Sequence, residues 1–261
     1  MSPDLRPVTV PSIYQDAEHY DVLAEMTAPA DLPFYLDQVE QLGGPVLELA
    51  CGTGRICLPV AATGVTTTGI DNAPALLAHA KTKAETAGID VTLVEADCRG
   101  FDLDRPVKLV LFPYNAANHL LDLDSICDCL AAVRRHMDAS SRFILDTFNP
   151  DPQRLGGDPD EETLILDYHD HHRGQRVVMT ERNAYDAAAQ VNRITWSYQI
   201  GGTPEARVDV FDMRMFFPQE LDALLAFNGF TIEQKYGDYV GRPFRSRSAK
   251  QLCVCRLSHR S

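Results

Sequence analysis

Positive charge is scarce in this chain. There are 24 Lys and Arg against 37 Asp and Glu, a formal net charge of −13. A surface of that sign repels a phosphate backbone, so no nucleic acid is expected as partner, although local clusters of bases can still hold small anions. Long apolar runs are missing too. No window approaches the ~18 consecutive apolar residues of a membrane span, so no membrane partner is expected. The opening MSPDLRPVTVPS contains Asp4 and no apolar stretch, and does not read as a signal peptide. Its prolines suggest an extended arm. Cysteines number seven, an odd count without a secretion signal, which fits free thiols in a reducing, cytoplasmic setting. Two C-x-C pairs, Cys127/Cys129 and Cys253/Cys255, lack a second pair or a histidine set at zinc spacing, so no metal is expected. Internal repeats and low-complexity tracts are also lacking.

What is present is an ordinary globular composition, 45% apolar over 261 residues. That length suits one large domain, or one domain with a sizeable insertion. Strand-like and helix-like segments alternate over the first part. PVLELA (45–50), VTTTGID (65–71), DVTLVEAD (90–97), VKLVLFP (107–113) and SRFILDTF (141–148) are expected strands. Between them, GRICLPVAATG (54–64), APALLAHAKTKAETAG (73–88) and DSICDCLAAVRRHM (124–137) carry helical signals. These include Pro74 in a first turn, Gly64 and Gly88 at C-terminal ends, and Asp124 as an expected N-cap. This rhythm predicts an α/β fold with a doubly wound, mostly parallel sheet. Such sheets bind ligands beyond the carboxyl ends of their strands.

The rhythm changes after a Pro/Gly/acid connector at 149–162. Residues 163–217 hold four strand-like runs with period-two alternation, such as VNRITWSYQI, and predict an added antiparallel β-sheet. PQELDALLAFNGF (218–230) is an expected helix, and TIEQKYGDYV and KQLCVCRL are the last two strands, completing seven in the core. The expected division is 1–150 with 214–261 as the core and 151–213 as an inserted β unit. The antiparallel unit also offers edges through which two copies could pair as a homodimer.

The stretch VLELACGTGRICLPVA (46–61) carries the chemistry. A strand ends in Glu48, a small-residue turn follows, and a helix begins. A phosphate loop requires Lys-Ser/Thr after its last glycine, and Arg55 stands there instead. A dinucleotide fingerprint requires a third glycine, and Cys57 occupies that place. The pattern Glu48-Leu49-Ala50-Cys51-Gly52-Thr53-Gly54 resembles the first motif of class I S-adenosylmethionine (SAM)-dependent methyltransferases. It departs from that motif at Ala50, where glycine is usual. Alanine is a mild change there if its φ stays negative. The resemblance covers residues 14–150 and resumes over 214–257.

The resemblance implies a Rossmann-like SAM-binding core and transfer of the sulfonium methyl group to a nitrogen or oxygen of a small-molecule acceptor, leaving S-adenosylhomocysteine (SAH). It implies that Ala50, Gly52 and Gly54 lay main chain against the methionine part, with Glu48 facing its amino group. Asp71, 71 − 54 = 17 residues past Gly54, would accept from the ribose hydroxyls with Asn72 beside it. Asp97 and Cys98 would meet the adenine, near Phe112. The segment IYQDAEHYDVLAEM (13–26) resembles the lid helix of glycine and aminosugar N-methyltransferases, so Tyr20 or Tyr14 would reach the methionine carboxylate or the acceptor. Arg55 would pair with the same carboxylate.

His119, in NAANHL just past the fourth strand, is the candidate base or acceptor-orienting group, because a histidine there titrates near neutral pH. Asn115, Asn118 and Asn149 are candidate neutral orienting groups. The run YHDHHRG (168–174) puts His169 and His171 on one strand face, with His172 beside them, yet supplies no third ligand. GRPFRSRSAK (241–250) carries Arg242, Arg245, Arg247 and Lys250 with no acid, a composition suited to an anionic acceptor. Two rivals need the same cofactor residues: an intramolecular cyclase that uses SAM without transferring methyl, and a non-catalytic SAM-binding protein.

Overall fold

The computed structural model describes residues 10–27, 30–170 and 174–258. His171 and His172, and the N-terminal stretch 1–9, lie outside the described residues. The expected core strands form as β1 (Val46–Leu49), β2 (Thr67–Asp71), β3 (Thr92–Glu95), β4 (Val107–Phe112) and β5 (Met137–Phe148). The second sheet contains β6 (Thr163–Asp170), β7 (Gln175–Asp186), β8 (Val191–Ile200) and β9 (Thr203–Arg214). The chain then returns to the core with β10 (Phe230–Tyr236) and β11 (Lys250–Leu257). The seven-stranded sheet runs β10-β11-β5-β4-β1-β2-β3, and the four-stranded sheet runs β6-β7-β8-β9.

Strands β1 to β5 pair in parallel, and β11 is antiparallel to both β5 and β10. The chain leaves β1 for β2 and β3, then returns to place β4 on β1's other edge. That reversal opens a crevice at the carboxyl ends of β1 and β4.

Helices cover both faces of this sheet: α2 (Leu32–Leu42), α3 (Cys57–Ala62), α4 (Pro74–Ala87), α5 (Leu123–Arg135) and α7 (Pro218–Phe227). Helix α1 (Ala17–Thr27) precedes them, and α6 (Pro152–Leu155) is a single turn in the connector. Alternate residues of β1 serve opposite cores. Leu47 and Leu49 join Ile126 and Leu130 of α5 and Leu221 of α7, while Val46 joins Phe34, Tyr35 and Val39 of α2. Gly88 ends α4 with left-handed φ 63, as its position predicts. The α5 cap needs correcting. Asp122, not Asp124, accepts from the Ser125 N–H at 2.7 Å, and Asp124 lies inside the first turn. Helix α3 is shorter than the expected 54–64 because the turn occupies the residues before Cys57.

The second sheet packs its inner face on the N-terminal segment. Ile13 and Leu23 share a core with Val177, Met179, Ile194 and Tyr198. Alternation on β8 follows the expected pattern, with Asn192 and Ile194 buried and Arg193 exposed.

Candidate active site

A cavity of ≈ 2120 Å³ lies beyond the carboxyl ends of β1, β4 and β5. The N-terminal segment and the inner face of the second sheet supply its other walls. It is larger than the ~300–1,000 Å³ of a pocket for one drug-sized ligand and has room for two.

Strand β1 is buried along its whole length, where a parallel sheet favours an unbroken apolar run. Glu48 breaks that run. Burial pushes its pKa well above the ordinary value, and Oε2 is buried without a hydrogen-bond partner on the cavity wall. An orphaned carboxyl oxygen in that position suits a cationic group, such as the amino end of an amino-acid ligand.

The turn after Glu48 does not keep Ala50 at negative φ. Ala50 sits at φ 53, in the left-handed region that disfavours any Cβ, so the change from glycine is strained rather than mild. Gly52 has φ 55, and its N–H donates to Asp71 Oδ2 at 2.7 Å. Gly54 has φ 84, and a Cβ there would meet the Leu58 side chain at 2.6 Å. Gly54 therefore serves helix packing and is not among the cavity-lining residues, whereas Ala50 and Gly52 are.

Asp71 ends β2 at the cavity, with its pKa raised by burial against the pull of backbone N–H groups. Its Oδ1 accepts from Ala73 N at 2.8 Å, so each oxygen holds one backbone donor and retains a further acceptor direction. Asn72, Cys98 and Phe112 line the same wall. Asp97 lines it too, gripped by Arg99 through Nε and Nη2, a pairing that holds its pKa down against partial burial. Arg55 forks onto the fully buried Asp31, with Nη1 and Nη2 at 2.5 and 2.8 Å, and lies 5.0 Å over the Tyr114 ring. Tyr20 closes over Gly52, where a Cβ would come within 3.7 Å of its ring.

Elsewhere on the cavity wall, Tyr14 Oη and His119 Nε2 are 2.7 Å apart. The near-neutral titration expected of His119 does not hold. Burial depresses its pKa to about 4, with a hydrogen bond to the Asp212 backbone working the other way. The ring is neutral at pH 7. Burial raises the Tyr14 pKa well above its ordinary value, so the phenol keeps its proton. A neutral phenol thus faces a neutral imidazole nitrogen, and the imidazole tautomer sets which of the two donates.

Asn115 lines the cavity, and its Oδ1 accepts from Lys250 Nζ at 2.6 Å. Asn118 is fully buried in structural bonds to the Arg214 carbonyl and Thr147. Asn149 ties down the 246–248 turn through Ser248. Tyr114 and Asn115 are both left-handed, at φ 53 and 62.

Of the groups that fix this strained pair, only Lys250 stood out in the sequence, and there for an anionic acceptor. Buried Asp146 on β5 accepts from Tyr35 Oη, Tyr239 Oη and the Tyr114 N–H on Oδ2, and from Lys250 Nζ on Oδ1 at 2.9 Å. Lys250 is thus spent on Asp146 and Asn115. Arg242 pairs with Asp238 and is largely exposed, and Arg247 lines the cavity. His169 lies on the exposed face of β6.

Residues 46–139 match the family model described as a methyltransferase domain. Comparison with curated proteins finds no match. Among solved structures, the chain is similar to the CcbJ methyltransferase from Streptomyces caelestis, with 24% identity, TM-score 0.81, and 94% of this chain and 98% of that one covered. SAM-bound CalS10, an amino pentose methyltransferase from Micromonospora echinaspora, matches with 22% identity, TM-score 0.71, and 92% and 96% coverage. The sugar N-methyltransferase KedS8 from Streptoalloteichus sp ATCC 53650 matches with 18% identity, TM-score 0.73, and 98% of both chains covered.

Proposed function

We propose that this chain, whose residues 46–139 match a methyltransferase-domain model and whose fold is similar to that of SAM-dependent methyltransferases, methylates a neutral amine nitrogen of a small molecule. The state of His119 carries this choice. A hydroxyl acceptor usually needs a base, and an imidazole whose pKa is about 4 is a poor one at pH 7. An amine needs only its lone pair. The amino pentose and sugar N-methyltransferase neighbours support the same reading.

When bound, SAM supplies a methyl group already activated by its sulfonium. The chain's own residues position, shield and orient. Glu48 faces the ligand's ammonium, Asp71 accepts from the ribose hydroxyls, and Asp97 and Cys98 border the adenine. Tyr14 turns its proton to His119 Nε2, which leaves an oxygen lone pair to accept an N–H of the acceptor. So held, the amine's lone pair would displace the methyl group, the C–S electrons staying with sulfur to leave SAH, and the proton of the methylated ammonium would pass to solvent. Orientation of this kind is the main contribution, since little proton transfer is required. The second sheet, from Thr163 to Arg214, caps the acceptor half of the cavity.

Transfer from methyl-labelled SAM to a panel of small amines and alcohols tests the proposal. Amines are expected to take label and alcohols to take none; label on alcohols alone would overturn it. His119→Ala should lower turnover with SAM affinity little changed. Asp71→Ala should weaken SAM binding at least about tenfold by calorimetry, the ~1.4 kcal/mol of a lost charged hydrogen bond.

A further inference from the structure

Asn192, on β8, is 5% exposed and lines the cavity from the second sheet. Its Nδ2 donates to Asn183 Oδ1 at 2.7 Å, and its own Oδ1 is buried with no partner. This polarity cannot be reversed. Asn183 Nδ2 donates to Glu181 Oε1 at 2.7 Å, and an ionised carboxylate only accepts. Asn183 must then present its oxygen to Asn192, and Asn192 must answer with its NH2 group. Glu181 is itself anchored by Trp196 Nε1 at 2.8 Å on Oε2 and by Arg154. The relay runs from a fixed carboxylate through two amides and ends in an acceptor that nothing among the described residues satisfies.

The place of that acceptor gives it a use. Asn192 pairs across the ladder with Met213, and two residues along β8 Ile194 pairs with Phe211. The Phe211 ring lies 6.1 Å from that of His119. The apolar side chains of Ile194 and Phe211 thus lie between the Tyr14–His119 pair and Asn192, whose backbone is about 7 Å along the strand from that of Ile194. A buried acceptor at the far end of a binding cavity rejects ligands that leave it unpaired and favours those that bring a donor.

We propose that Asn192 Oδ1 accepts a hydrogen bond from a hydroxyl group of the acceptor molecule. The protein's substrates are then hydroxylated amines, methylated at the His119 end and recognised at the Glu181–Asn183–Asn192 end. This inference rests on the amine reading above and adds to it the second functional group.

The test compares cyclohexylamine with its 2-, 3- and 4-hydroxy derivatives as acceptors of labelled methyl, with SAH binding followed by calorimetry in the same preparations. At least one hydroxylated isomer should show a KM at least tenfold below that of the parent amine. Asn192→Leu should bring that ratio close to one while SAH still binds. Glu181→Gln, which frees the relay to reverse, should shrink the ratio as well and provides the readout if the first variant fails to fold. Equal KM values in the wild type, a ratio that survives both substitutions, or no transfer to any amine of the series would overturn the proposal. Failure of the wild type to bind SAH would instead bring down the methyltransferase reading beneath it.

Discussion

At the scale of single residues, Ala50 is the clearest conflict between local chemistry and its setting. A left-handed conformation costs an L-residue about 1–2 kcal/mol, and glycine would return part of that through its freer unfolded chain. Ala50→Gly should therefore stabilise the protein by about 0.5–1 kcal/mol in urea denaturation; a neutral or destabilising result would contradict the strain assigned to φ 53. The sequence alone exposed the substitution but not the sign of φ, because alanine in a glycine pattern looks tolerable until the backbone is seen.

His119 is a second case. Its folded pKa of about 4 lies below the unfolded value near 6.5, so the native state resists protonation. The sign follows: this stabilisation is present above pH 6.5 and is lost as pH falls toward 4. The ring faces the cavity, so the full linkage value is discounted to about 2–3 kcal/mol. Urea titrations of wild type and His119→Phe across that range should diverge by this amount, the variant losing less. Parallel curves would mean the imidazole is not held neutral. Sequence position correctly put a histidine beside the cavity; its burial under Tyr14 and β9 comes only from the fold.

At the scale of elements, the parallel core was legible because its strands are short, β-branched and apolar, and because prolines and glycines mark the helix ends. Helix α2 carried comparable signals in Pro33 and in Leu32, Tyr35, Leu36 and Val39 at helical spacing, yet it precedes the motif and contributes no recognisable ligand residue. The turn after β4 was located but not understood. Two successive left-handed residues, Tyr114 and Asn115, persist there because Asp146, Lys250 and two tyrosines hold them from β5, β11, α2 and the loop after β10. Such convergence joins residues separated by 32 to 135 positions and leaves no local pattern. Lys250→Met strands the buried Asp146 and should cost about 3–5 kcal/mol of stability, measured by chemical denaturation. Adding Asp146→Asn should restore part of it, and an unaffected single variant would show that the pair carries little.

At the scale of the whole molecule, the N-terminal segment joins the two sheets. Ser12 donates to Asp209 and Asp16 pairs with Arg207 on β9, while Asp21 accepts from Thr53 in the glycine turn and from His79 and Lys83 on α4. Its aromatic residues carry the resemblance to a lid helix, whereas no pattern in the sequence sets Asp16 or Asp21 apart. Asp21→Asn weakens only the core-side fastening. It should raise the dissociation rate of SAH severalfold in stopped-flow measurements, with the sheets still folded by circular dichroism. An unchanged rate would mean this fastening does not limit exit.

The shared roof has a consequence for the order of events. Tyr14 and Tyr20 lie on one short stretch, 5.7 Å apart, the first against His119 and the second over Gly52. On the function proposed above, lifting that stretch would uncover both compartments together, so spent nucleoside and methylated product would leave through a common doorway and neither compartment could be refilled while the other stayed sealed.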